Sequence, residues 1–209
     1  LCYRQSTITM RLFFFFLLFP VLISAQYDML LSDFGDNGVA KFERGYSSSI
    51  RCLMPLSDGR IVVYASWSDS VFQIRLKPNG ALDSTFGVNG IQPDNYPKLS
   101  IPYEMSLLPN GQYFALRQYH EGTFIPQDGF GLTKHHLNGE LDTTFGVGGM
   151  THIILGNYAI PGTMAVQSDG KIVALGFRSG QVGVLTRFHA NGQIDSTFDG
   201  NGVALAHID

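Results

Sequence analysis

Three short carboxylates occupy one recurring place in this chain. Asp83, Asp142 and Asp195 each lie three residues after an Asn-Gly pair and just before Ser-Thr-Phe or Thr-Thr-Phe. A carboxylate can serve as a general acid or base, or hold a divalent cation. A residue present in every repeat is there because every repeat must fold, whereas a catalytic group is needed once. The recurrence therefore assigns these three to Asx-type turns, in which the side chain accepts nearby backbone N–H groups. Arg75, Lys134 and Arg187 recur five residues before a glycine and are read as partners of nearby acids or as solvated. Asp195, Thr197, Asp199 and Gly200 imitate the first half of an EF-hand loop. The twelfth position of that loop is Ala206 rather than glutamate, so no metal site is assigned. His120, His135, His136, His152, His189 and His207 show no zinc spacing, and the adjacent His135 and His136 would point to opposite faces of a strand. No nucleophile elbow, phosphate loop or dinucleotide fingerprint is present, so no catalytic residue and no cofactor is assigned. What remains is unrepeated. Tyr119 to Gly129 reads as an aromatic-bearing loop, and its His120, Glu121, Phe124 and Asp128 are the candidate binding residues. A second variable stretch is Gln92 to Pro97.

The elements that must position these residues are punctuated by three glycines in a nearly fixed register. The first closes a five-residue loop opened by phenylalanine: Phe34 to Gly38, Phe86 to Gly90, Phe145 to Gly149 and Phe198 to Gly202. The second is Gly59, Gly111 and Gly170, and the third is Gly80, Gly139 and Gly192. First to second is always 21 residues, and third to the next first is always 10. The second-to-third interval varies as 21, 28 and 22, giving periods of 52, 59 and 53. The seven extra residues of the second repeat fall in the Tyr119 to Gly129 stretch. Such a period marks a blade or solenoid repeat.

Each repeat reads as four strands. In the first they are Val39 to Phe42, Ile50 to Leu56, Arg60 to Tyr64 and Val71 to Lys77. Asp-Gly or Asn-Gly between two apolar runs predicts a type I′ hairpin turn, both central residues having positive φ. Phe72, Ile74 and Leu76 alternate with Gln73, Arg75 and Lys77, which predicts one buried face. The matching strand of the second repeat is poorer, with Gly131 and His135 where Phe72 and Leu76 stand. The fold class is all-β: a β-propeller-like array of four-stranded antiparallel blades. Cut at the first glycine, the repeats run over about 39–90, 91–149 and 150–202, and Gly202 to His207 reads as the start of a fourth. About three blades plus one strand is an incomplete ring, because closed propellers have about 4–8 blades. The reading predicts that the chain continues past Asp209 and that open ends self-associate.

Leu76 to Gly90, together with Val166 to Ala174, resembles the delta-60 repeat family across essentially the whole span after residue 25. The resemblance implies secreted or surface-associated bacterial proteins of tandem propeller-like blades, usually without an assigned activity. Leu53-Met54-Pro55-Leu56 and the displaced glycine in Phe198-Asp199-Gly200 depart from the pattern.

Residues 10–25 read as a secretory signal peptide: Arg11, an apolar run from Leu12 to Phe19, and Ser24-Ala25 as the cleavage point. Residues 1–9 read as translated upstream sequence. The apolar run is too short for a span of about 20 residues. Removing Arg4 and Arg11 leaves 12 of the 14 Lys and Arg against 17 Asp and Glu, a net charge of −5, which argues against nucleic acid as a partner. Cys52 alone remains after residue 25, so no disulfide is expected within residues 26–209. The function read from these observations is a secreted or cell-surface, non-enzymatic module binding protein or glycan, with no membrane span in the mature chain. The alternative is the amino-terminal part of a secreted propeller enzyme, a hydrolase or lyase, with its catalytic residues beyond Asp209.

Overall fold

The computed structural model describes residues 33–41, 48–67, 70–94, 96, 98–122, 127–156, 158–180 and 182–206. The upstream residues 1–9, the signal peptide at 10–25, the loop residue Phe124 and the end of the Val39 to Phe42 strand lie outside them. The chain divides into two compact units, Leu1–Phe42 with Asn79–Ala81, and Glu43–Pro78 with Leu82–Asp209. In the smaller, the Gly35 N–H donates to the Asn79 carbonyl at 2.7 Å, and Asp36 bridges Val39.

Among its described residues the larger unit holds twelve strands in three antiparallel sheets of four. The first sheet comprises β1 (Ser48–Pro55), β2 (Ile61–Trp67), β3 (Ser70–Leu76) and β4 (Ile91–Pro93). The second comprises β5 (Glu104–Leu107), β6 (Tyr113–Glu121), β7 (Gln127–His135) and β8 (Met150–Gly156). The third comprises β9 (Ile160–Val166), β10 (Ile172–Arg178), β11 (Val182–Phe188) and β12 (Val203–Ala206). Within each sheet the strands are neighbours in chain order.

The sheets are offset by one strand from the repeats as cut at the first glycine. The strand after that glycine pairs backward, as the last strand of the preceding sheet. Two reversals within the ten-residue passage cause this. After β3 the third-glycine turn brings Leu82 back beside Leu76, and the phenylalanine loop then reverses the chain again, so that Arg75 donates its N–H to the Gly90 carbonyl at 3.0 Å. By the same geometry Val203–Ala206, read from the sequence as opening a fourth repeat, completes the third sheet, and the extra piece lies at the front, at the Asp36 and Val39 bridge.

The hairpin turns also differ from expectation. Gly59 has φ of 81° whereas Asp58 keeps negative φ. The Gly59 N–H donates to the Leu56 carbonyl at 3.0 Å and the Leu56 N–H to the Arg60 carbonyl at 2.8 Å. This is a type I turn followed by a left-handed glycine, and Gly111 and Gly170 close the same pattern. The Asp58 carboxylate accepts the Arg60 N–H at 3.1 Å, which favours this turn over type I′.

Two cores join the sheets. Val62 and Tyr64 of the first meet Met105, Tyr113 and Ala115 of the second. Phe114, Leu116, Phe130 and Leu132 of the second meet Met164, Ile172 and Ala174 of the third. The stretch read as a loop from Tyr119 to Gly129 is largely an extended hairpin, with His120 opposite Asp128 and Glu121 opposite Gln127. The strand called poor is nine residues long. Gly131 serves a purpose there, since a Cβ at that position would stand 2.4 Å from the Leu99 side chain that fills the space.

Candidate functional site

The recurring aspartates form one motif three times. An oxygen of Asp83 accepts the Thr85 N–H at 3.1 Å and the Thr85 hydroxyl at 2.7 Å, and Asp142 with Thr144 and Asp195 with Thr197 repeat the pair. The other oxygen meets the recurring cation: Arg75 on Asp83 at 2.7 Å, Lys134 on Asp142 at 3.0 Å and Arg187 on Asp195 at 2.7 Å. Against the upward push of burial, the Thr85 hydroxyl and amide, with Arg60 and Arg75, hold the Asp83 carboxyl well below the usual carboxylate range. The Thr144 hydroxyl chiefly does so for Asp142, and the Thr197 hydroxyl for Asp195. Asp83→Ala removes the turn acceptor and leaves the buried Arg75 without its carboxylate. A loss of about 2 kcal/mol or more is expected in denaturant unfolding, above that of a lone cap. A loss below about 0.5 kcal/mol would mean that Thr85 and the Leu137 carbonyl alone hold Arg75.

A second set of polar residues does not recur. Gln73, Asp94, Arg117 and His135 come from different places in the chain, and all are buried between the first and second sheets. At the matching positions the other repeats carry Leu132 and Leu185 for Gln73, Ile153 and Ala206 for Asp94, Ala65 and Gly176 for Arg117, and Leu76 and Phe188 for His135. Arg117 pairs with Asp94, donates to Thr133 Oγ1 at 3.1 Å, the Ser100 carbonyl at 3.1 Å and the Tyr64 hydroxyl at 3.2 Å, and lies over the rings of Tyr64 and Tyr96. Gln73 donates to Asp94 at 2.7 Å and accepts from the Tyr113 hydroxyl. His135 donates through Nδ1 to the Gly139 carbonyl at 3.2 Å, and its Nε2 accepts the Thr133 hydroxyl at 2.9 Å, which makes it the neutral imidazole. Burial lowers its pKa to about 4. Sequence reasoning placed Asp94 in the variable stretch from Gln92 to Pro97, weighed His135 as a metal ligand and Gln73 as a polar strand residue, and did not bring them together or name Arg117. The signal that could have found it is polarity where the sister repeats are apolar.

Above this cluster the second sheet carries the candidate residues. The hairpin brings His120 to Asp128, Nδ1 donating to the carboxylate at 2.8 Å, and Asp128 also accepts the Tyr158 N–H at 3.0 Å. Glu121 pairs with Lys98 at 2.6 Å, and the Lys98 ammonium, foremost, holds its carboxyl below the ordinary value. Lys98 in turn stands over the Tyr119 ring. Tyr119 stacks on His152, their centroids 3.9 Å apart and their planes within 12°. Successive residues face opposite ways on a strand, so Tyr119 and Glu121 share one face of β6 and His120 takes the other. Tyr119 and His152 form part of a cleft of about 640 Å³ completed by Leu99, Met150, Asn191 and Ile194. Its walls mix apolar surface with backbone and amide polar groups, as binding clefts do. Cys52 is no nucleophile, burial pushing its thiol up to about 12. Among the described residues no group of three or more His, Cys, Asp or Glu could hold a metal ion.

Two stretches of the chain, residues 56–86 and 167–198, match the model of a β-propeller domain of unknown function, DUF5122. Each runs from the second-glycine hairpin through the third glycine to the phenylalanine of the next loop. The chain is built of β-propeller repeats. Its three sheets are propeller blades, joined face to face through apolar cores. The blade between the two matched stretches carries the seven-residue insertion and with it the Tyr119 and His152 cleft. Among curated proteins, no match to the chain was found.

Proposed function

We propose that this propeller is an exported module of the delta-60 type, secreted or held at the cell surface, which binds a protein or glycan without catalysis. The observation that carries the reading is the stacked Tyr119 and His152 pair at the cleft of the second blade, with Lys98 and Glu121 beside it. These residues do not recur, Tyr119, Glu121 and His152 stand on paired antiparallel strands, and aromatic faces beside fixed charges suit sugar rings and peptide side chains alike. The signal-like residues 10–25 support export, and a mature amino terminus at Gln26 is expected from sequencing of the secreted product.

The binding claim is tested by titrating the folded chain against oligosaccharides and short peptides. His152 is exposed, so His152→Ala should leave the melting temperature nearly unchanged while weakening the ligand about tenfold or more. A ligand that binds the variant as well as the parent would move the site elsewhere, and turnover of any ligand would restore the enzyme reading.

A further inference from the structure

We infer that the cleft of the second blade takes an extended peptide, which adds to the open edge of β8 as a fifth strand. The inference rests on the binding role proposed above for this cleft and chooses the peptide from its two ligand classes. β8 is the last strand of its sheet, so one side of it carries no strand. Along an antiparallel pair, residues that bond to the partner alternate with residues whose backbone groups point away. The Lys134 N–H donates to the Gly149 carbonyl at 3.1 Å, so in the same register Thr151 and Ile153 bond to β7. Met150, His152 and Ile154 therefore turn their N–H and C=O groups to the open side. Val147 satisfies Met150, accepting its N–H at 3.3 Å and donating to its carbonyl at 2.8 Å. His152 and Ile154 present theirs two residues apart, the spacing at which an incoming strand makes its hydrogen bonds.

The first blade closes the same route. There Ile91 stands at the register place of Met150 and exchanges the same two bonds with Val88, but the place of His152 belongs to Pro93, which has no N–H to offer. β4 has three residues and β8 has seven. Leu205 holds the place in the third blade, outside the cleft.

The cleft wraps the edge of β8. Tyr119 and His152 lie on the face of the sheet that carries Gly131, whereas Thr151, opposite Leu132, and Ile194 belong to the face packed against the third blade, and all four line the cleft. A strand laid along β8 sends alternate side chains to two unlike walls. One is made by Leu99 and Met150, the other by the amides of Asn191 and Gln193. The sequence that fits alternates apolar with hydrogen-bonding residues. A sugar ring is served less well. Tyr119 is only 7 % exposed, with His152 stacked on it and the Lys98 ammonium over it, and so offers no open platform.

Random decapeptides displayed on phage and selected on the full chain supply the probe, with cellohexaose as the sugar probe. Selected peptides should show the alternating pattern, and His152→Ala should weaken the tightest of them about tenfold or more. His152→Pro removes the edge N–H as well as the ring and should weaken it about fivefold further, the worth of one backbone hydrogen bond. Both variants should keep the parent's melting curve, since Pro93 shows that an edge strand of this fold accepts proline at that place. Amide exchange is the second measurement, in which the bound peptide should slow the His152 and Ile154 N–H groups and leave Thr151 and Ile153 as they were. Probes indifferent to His152→Ala would remove the binding reading and this inference with it. Three results would leave that reading standing and overturn the added strand: a peptide that His152→Pro weakens no more than His152→Ala, one that leaves the two edge amides exchanging as before, or a cleft that selects no peptide and binds cellohexaose.

Discussion

Asp94→Ala is expected to cost the fold about 3–5 kcal/mol, the range for removing one partner of a buried ion pair. Arg117 would stay charged, with Thr133, Tyr64 and the Ser100 carbonyl as neutral acceptors and no counter-charge. The Gln73 amide and the Tyr64 hydroxyl lose an acceptor as well. The measurement is denaturant unfolding of the parent, Asp94→Ala, Arg117→Met and the variant carrying Gln73→Leu, Asp94→Ile, Arg117→Met and His135→Phe. The fourfold variant converts the first seam to the apolar chemistry of the second, where Leu132, Ile153 and Phe188 occupy three of those positions. It should lose less than Asp94→Ala, because apolar replacement of a whole buried network avoids the uncompensated charge. A fourfold variant that is the least stable of the set would show that the network contributes net stability.

The pH dependence of unfolding should carry the mark of His135. Its pKa is about 4 in the folded chain and about 6.5 when unfolded, so the folded state binds fewer protons between those values. Stability from this group is fully present above about pH 6.5 and is lost as pH falls towards 4, by about 3 kcal/mol in total. The cause is burial, to which the Arg117 guanidinium adds and against which the Asp94 carboxylate pulls. Asp83, Asp142 and Asp195, with their lowered pKa values, act below about pH 3.8, where they too lose stability as pH falls. The two windows separate. Urea unfolding at several pH values should show a slope from 6.5 to 4 in the parent that flattens in His135→Leu. A slope that survives the substitution unchanged would assign it to other groups.

The glycine spacing made the repeat legible, because only a chain that reverses at the same places each time needs left-handed residues at fixed intervals. The all-β class and the antiparallel sheets follow from the same punctuation. The phase of the sheets does not, since a strand after Gly90 is equally extended whether it pairs backward or forward, and the choice lies in two consecutive reversals. Asp-Gly likewise serves both type I′ and type I turns, and the side-chain hydrogen bond of Asp58 decides. The hairpin at Tyr119 to Gly129 was hidden by Gly122, Pro126 and Gly129, which read as breakers, although Gly129 is a strand residue placed where Ile153 approaches. The network of Asp94 and Arg117 was hidden by sequence distance, because its members lie in different repeats and meet only when two sheets stack.

The one-strand offset between sequence period and sheet makes the repeats depend on each other as overlapping roof tiles do. A segment of DNA that copies one period cut at the first glycine inherits three strands for its own sheet and one strand that finishes the neighbour's, whereas one cut between β4 and β5 carries a whole sheet. A copy cut at that glycine takes the last strand of the adjacent sheet with it, and the next copy's strand falls into the vacated place. Duplication can therefore lengthen such an array one period at a time, while deletion of anything but a whole period exposes an unpaired edge. Selection on any single copy is thereby selection on its neighbours, and the blade that carries an insertion, such as the one at Tyr119, can diverge only on the surfaces that no other copy uses.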